Sequence, residues 1–184
     1  MNDTGIILAY KFLTKYIPMK TLNNTIGGFA GAAALNIVHQ TLKQFIDKAP
    51  RVDLIGEEAL NKGLTTLGAK PLKGNTLFAS TLAADVISNA AYYSMIGLGR
   101  KKNLLFKGAA FGLAAGVGAL TLTKQLGLND APITRNAETK LLTVGYYLLG
   151  GIVAALTIKA LTKKTEPINI SANVDEEIAV VGNS

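Results

Sequence analysis

The sequence predicts an all-α fold: a four-helix transmembrane bundle with a short interfacial helix in the first outer loop. Three observations carry this. Mean hydropathy is +0.30, whereas soluble chains usually fall below zero. Charged residues are only 17% of the 184-residue chain, and they are sparse in four long windows. Those windows are dominated by Gly, Ala and Leu and contain no Trp. Small residues are what helices use to pack closely in lipid, where dispersion and close backbone approach replace the hydrophobic drive.

Residues 1–20, MNDTGIILAYKFLTKYIPMK, hold an apolar run too short and too interrupted by Lys to span, and show no signal-peptide cleavage pattern. Two readings stay open: Met19 is the natural start and the first residues are a mis-annotated extension, or the segment is an amphipathic surface helix. Residues 21–164 form the membrane domain, with spans expected at 25–46, 77–98, 104–126 and 141–161. Each is about the ~20 residues a helix needs to cross the hydrocarbon core. The first is the most polar and the fourth the cleanest. A soluble bundle would show a broad charged face, which the last two windows lack.

The first connection is long. Apolar residues at near-helical spacing over 54–67, with Glu57, Glu58 and Lys62 opposite, predict a short interfacial helix closed by Gly68 and Pro71. The second, Gly99-Arg100-Lys101-Lys102-Asn103, is tight and basic. In the third, Asn129-Asp130-Ala131-Pro132 signals a turn. The tail, 165–184, is polar and acidic and is expected to be mobile.

Arg100, Lys101, Lys102 and nearby Lys107 mark the second connection as cytoplasmic, so an even number of spans puts both termini inside. Lys20, Lys159, Lys163 and Lys164 agree. Lys48, Arg51, Lys62, Lys70 and Lys73 in the first loop argue the other way, weakened by that loop's length and mixed charge. The net charge of +7 is arranged as flanks to apolar segments, not as a basic stripe with aromatics, so nucleic acid is not an expected partner. No cysteine and a single histidine exclude a disulfide framework, thiolate chemistry and a multi-histidine metal site. No metal or cofactor is expected.

Gly108, Gly112 and Gly116 recur every fourth residue in the third window, and Gly27 and Gly31 do so in the first. This spacing lines one helix face with hydrogen atoms, so a neighbouring backbone can come close; the neighbour is either internal or a second subunit. There is also an internal echo. GFAGAAAL and FGLAAGVGAL each precede an Ala-Pro loop, and the second and fourth windows each carry a Tyr-Tyr pair. Two similar hairpins would be related by an axis along the membrane normal.

Intramembrane polarity singles out a candidate site. Asn36, His39, Gln40 and Lys43 share one helix face at i, i+3, i+4 and i+7; Asp85, Ser88, Asn89 and Tyr92 repeat that spacing on the second window. Counted inward from the outer boundary, His39 and Asp85 both lie roughly 10–12 Å deep, with Tyr146 and Tyr147 at a similar level. An ionisable side chain within a span costs about 2.5–3.5 kcal/mol on insertion scales, so it normally faces the interior with a partner. Two readings follow: a small outward-opening polar cavity for a proton, an ion or a polar headgroup, or plain interhelical hydrogen bonding that fixes register.

The segment HQTLKQFIDKAPRVDLIGEEAL, with His39, Ala49, Pro50, Arg51, Asp53 and Gly56, resembles a pattern in uncharacterised small multi-pass membrane proteins of bacteria. Gln40 stands where that pattern usually has Glu. The resemblance covers about twenty-five residues. It implies a bacterial inner-membrane protein without assigned activity, and places Arg51 and Asp53 at the membrane edge, paired with each other or with lipid headgroups.

With no nucleophile elbow, phosphate loop or metal set, the chain reads as a non-enzyme: a structural, accessory or binding subunit in the bilayer, as a homo-oligomer or within a larger membrane complex. The alternative is a small-solute, ion or proton transporter that uses the polar belt.

Overall fold

The computed structural model describes residues 18–100 and 102–165. Residues 1–17, Lys101 and residues 166–184 lie outside the described residues, and with them most of what the sequence suggests for the N-terminal segment and the acidic tail.

Every regular element among the described residues is helical: α1 Met19–Leu42, α2 Val52–Thr66, α3 Gly74–Ser94, a 3-10 turn Met95–Gly97, α4 Leu104–Gln125, α5 Ala131–Thr134 and α6 Ala137–Thr165. The all-α expectation holds. Pro18 sets the start of α1: fixed in an extended conformation, its carbonyl accepts hydrogen bonds from the Thr21 and Leu22 amides. The helix therefore begins before the expected residue 25. It ends at Leu42, because the chain must turn through 43–50 to reach α2.

Helix α2 covers the expected interfacial segment. It closes at Gly68, whose φ of +77° lets the Ala69 amide reach back to the Leu64 carbonyl at 2.8 Å, a Schellman stop. Asn61 pins the returning chain, its side chain bonding both the amide and the carbonyl of Leu72. The turn expected at Asn129–Pro132 is instead a one-turn helix, α5, with Pro in its first turn where the missing amide costs nothing.

Among the described residues two helices are long and apolar enough to cross a membrane, α4 and residues Ala137–Lys163 of α6. Two of the four expected spans thus meet both criteria. Helices α1 and α3 match them in length, but Asn23, Asn24, Asn36, His39 and Gln40 on α1, and Asn75, Asp85 and Asn89 on α3, dilute their apolar character.

The long helices pack in the order α3, α1, α6, α4, each neighbour running antiparallel to the last. Glycine decides the close seams. Gly108 of α4 lies on the Gly151 carbonyl of α6, Gly112 on the backbone of Tyr147 and Leu148, and Gly116 on Val144. Gly27 and Gly31 of α1 lie on Ala154, Ile158 and Gly150 of the opposite face of α6. The neighbour that these glycines admit is thus internal. Tyr93 of α3, fully buried, fills the notch between Gly31 and Gly150 and donates a 2.8 Å hydrogen bond to the Tyr147 carbonyl.

The hairpin echo is not realised as a two-fold arrangement. A rotation exchanging the hairpins would match the closed α1·α6 seam with an equally closed α3·α4 seam. Instead α3 and α4 flank a groove of about 450 Å³, bridged where Tyr92 donates to the Phe111 carbonyl at 3.0 Å.

Candidate functional site

One end of the bundle gathers the first and third connections. Arg135 donates to the Asp47 and Ala49 carbonyls, Lys48 pairs with Glu138 at 2.6 Å, and the Arg51 amide reaches the Pro132 carbonyl. Lys62 of α2 donates to the Leu126 and Gly127 carbonyls, capping the C-terminal end of α4, where cations are favoured. Glu58 accepts from the Asn129 amide. These bonds lay α2 across the bundle end.

Under α2 sits a small polar chamber of about 30 Å³ between α1 and α3, lined in part by Asn36, His39 and Gln40 from α1, Asp53 from α2, and Thr81 and Asp85 from α3. A space of that size holds one water-sized group. His39 is 3% exposed. Its ring bonds the Pro50 carbonyl, which orients Nε2 towards Asp53. At 3.7 Å from the Asp53 carboxylate, Nε2 is beyond hydrogen-bond range, and it has no hydrogen-bond partner; nor does the buried hydroxyl of Thr81.

Asp53 is otherwise saturated. Lys43 Nζ donates to it at 3.0 Å, and Arg51 forms a fork through Nε at 3.0 Å and a terminal nitrogen at 2.9 Å. Burial works to push the carboxyl pKa up, but the hydrogen bonds and charges of Arg51 and Lys43 outweigh it and draw it down to about 2. The same fork raises Arg51.

The sequence expectation of a facing His39 and Asp85 is corrected in detail. Both line the chamber, but Asp85 accepts from the Asn36 amide at 2.7 Å and from Asn89 at 3.0 Å. It sits one helical turn deeper than His39, level with Asn36. His39 instead faces Asp53, which the loop helix delivers. Arg51 and Asp53 pair with each other, as one of the two sequence readings had it.

The rest of the belt divides. Tyr146 stacks obliquely beside His39, ring centroids 6.1 Å apart, with its hydroxyl buried and without a hydrogen-bond partner. Tyr147, Ser88, Asn89 and Tyr92 line the α3–α4 groove instead, and Ser88 turns back to the Asp85 carbonyl. Gln40 lines the chamber, and its carbonyl accepts from the Gln44 side chain. Thr81 was legible in principle, lying one turn before Asp85 on the same face. Val52 and Gly56, which roof the chamber, were not, because only the tertiary placement of α2 brings them there. Among the described residues no group of three or more His, Asp or Glu side chains is arranged to hold a metal ion.

No family model matches the chain, and neither a curated protein nor a solved structure matches it.

Proposed function

We propose that this chain is a four-span integral membrane protein acting without catalysis, as a structural, accessory or binding subunit. The observation that carries the reading is an inside-out distribution of polarity. Asn23, Asn24, His39, Thr139 and Thr143 are buried, whereas Ile37, Ile87, Phe106 and Leu141 are more than 60% exposed, on all four long helices. In water such a surface is an aggregation liability; in lipid it is the expected one. Of the polar residues that dilute α1 and α3, Asn36 and His39 face inward, to Asp85, Asp53 and Tyr146, and Asn23 and Asn24 are buried, so both helices are able to present apolar faces to acyl chains.

The finer reading is a bacterial inner-membrane protein with both termini cytoplasmic and the α2 end outside, resting on the resemblance of the His39–Gly56 segment and on the basic second connection. Three of the five opposing basic residues of the first loop are engaged: Lys48 by Glu138, Arg51 by Asp53, Lys62 by two carbonyls. The lipid bilayer is the first partner, and a homo-oligomer or a larger membrane complex the second.

Membranes carrying the chain should retain it through an alkaline carbonate wash, and release into the wash overturns the integral reading. Reporter fusions at Gly74 and Ser184 should report outside and cytoplasm respectively; a cytoplasmic signal at Gly74 overturns the orientation. A second reading, a proton or small-ion conduit, draws on the chamber, whose size admits nothing larger. Proton flux in liposomes above that of empty vesicles supports it, and flux equal to theirs sinks it.

A further inference from the structure

We propose that the chamber beneath α2 is a binding site for a primary ammonium group. Two side chains that line it are more than nine-tenths buried and carry polar atoms without a hydrogen-bond partner, His39 Nε2 and Thr81 Oγ1. With the ring's other nitrogen bonded to the Pro50 carbonyl, and Asp53 already filled by Lys43 and Arg51, Nε2 presents a lone pair. It therefore acts as an acceptor.

Asp85 adds a carboxylate held only by amides, with no cation paired to it among the described residues. The chamber thus offers a nitrogen lone pair, a hydroxyl oxygen and an unneutralised carboxylate. A small group that donates to all three and carries positive charge satisfies them and also neutralises the carboxylate. Water is able to donate to the nitrogen and the carboxylate and to accept from the Thr81 hydroxyl, but it brings no charge to Asp85. Hard alkali cations prefer an all-oxygen shell, which His39 spoils, and no metal-binding grouping is present among the described residues. An –NH3+ group donates three times and fits a space of about 30 Å³; a quaternary ammonium neither donates nor fits.

The test compares thermal unfolding of the purified chain in detergent with ammonium, methylammonium, sodium and tetramethylammonium chlorides at equal ionic strength. Ammonium and methylammonium should raise Tm saturably, by about 3 °C or more at high occupancy, and the other two should not. Thr81→Val, which keeps shape and loses the hydroxyl, and Asp85→Asn should each weaken the midpoint of that response about tenfold or more. Nitrogen NMR of the unaltered protein reads the site without any variant, and the His39 Nε2 resonance should move with added ammonium. Equal Tm shifts from all four salts, or a stationary His39 resonance, overturn the proposal. Reconstitution with phosphatidylethanolamine against phosphatidylcholine then identifies the source. Loss of the methylammonium response in the former assigns the ammonium to a lipid headgroup, and its persistence assigns it to a free amine; either supports the site.

Discussion

Replacing Gly112 with valine should separate α4 from α6 and lower unfolding stability by about 3 kcal/mol, the upper range for overpacking. A Cβ at that position lies 2.6 Å from the Leu148 Cα and 2.7 Å from the Tyr147 carbonyl oxygen. Both are backbone atoms of a helix, so no rotamer change relieves the overlap, and the helices must move apart along their whole seam. Gly108 and Gly116 meet the same partner one turn away on either side, and displacement at Gly112 therefore loosens all three contacts. Gly118, on the same helix, is the control: the nearest atom to its Cβ is the flexible tip of Leu122 at 3.8 Å. Gly118→Ala should leave stability within about 0.5 kcal/mol or raise it through better helix propensity. The measurement is denaturant unfolding of the purified protein in detergent. Equal effects from the two substitutions would show that the α4·α6 seam is not set by close backbone approach.

That seam was the most legible part of the molecule. A glycine every fourth residue is a local signal, since helical geometry alone puts Gly108, Gly112 and Gly116 on one face, and only the identity of the partner needed the tertiary fold. The helices themselves were legible for the same reason, with boundaries displaced where Pro18 and the turn at 43–50 intervene. The candidate site was half legible. Periodicity placed Asn36, His39 and Asp85 on facing surfaces, and the chamber does lie between those surfaces. Depth measured from one common outer boundary pairs His39 with Asp85, whereas α3 is offset by a turn and sets Asp85 against Asn36. A shift of one turn exchanges His39 for Asn36 as the partner of Asp85. The loop contribution was hidden more deeply. Asp53 is fourteen positions from His39 in the chain, and its approach depends on Arg135 and Lys62 strapping the loops together, which no local pattern encodes. The open α3–α4 groove breaks a resemblance between hairpins that the sequence does carry, because Gly27 and Gly31 close the α1·α6 seam and nothing equivalent among the described residues closes the other.

Asp53→Asn should be the most disruptive change at the bundle end, lowering stability by about 3 kcal/mol. The amide keeps the shape but not the charge, and Lys43, its side chain only 18% exposed, is left with a buried ammonium and no counter-charge. Arg51, at 43% exposure, can turn to solvent, so the penalty falls mainly on Lys43. Pairing Asp53→Leu with Lys43→Met removes both charges and should recover most of the loss, since a buried ion pair replaced by apolar side chains is often neutral. Acid provides an independent reading of the same carboxylate. Its folded pKa of about 2 lies below the ordinary 3.8, so the unfolded chain binds the proton more tightly. The resulting stabilisation, about 2 kcal/mol, is fully present above the unfolded value and is lost as pH falls towards 2. Unfolding free energies measured between about pH 6 and pH 2 should therefore decline more steeply in the parent than in Asp53→Asn, which has no such proton to bind. Superimposable acid limbs would mean that Lys43 and Arg51 do not hold this carboxylate in its charged form, and the electrostatic account of the bundle end would fail with them.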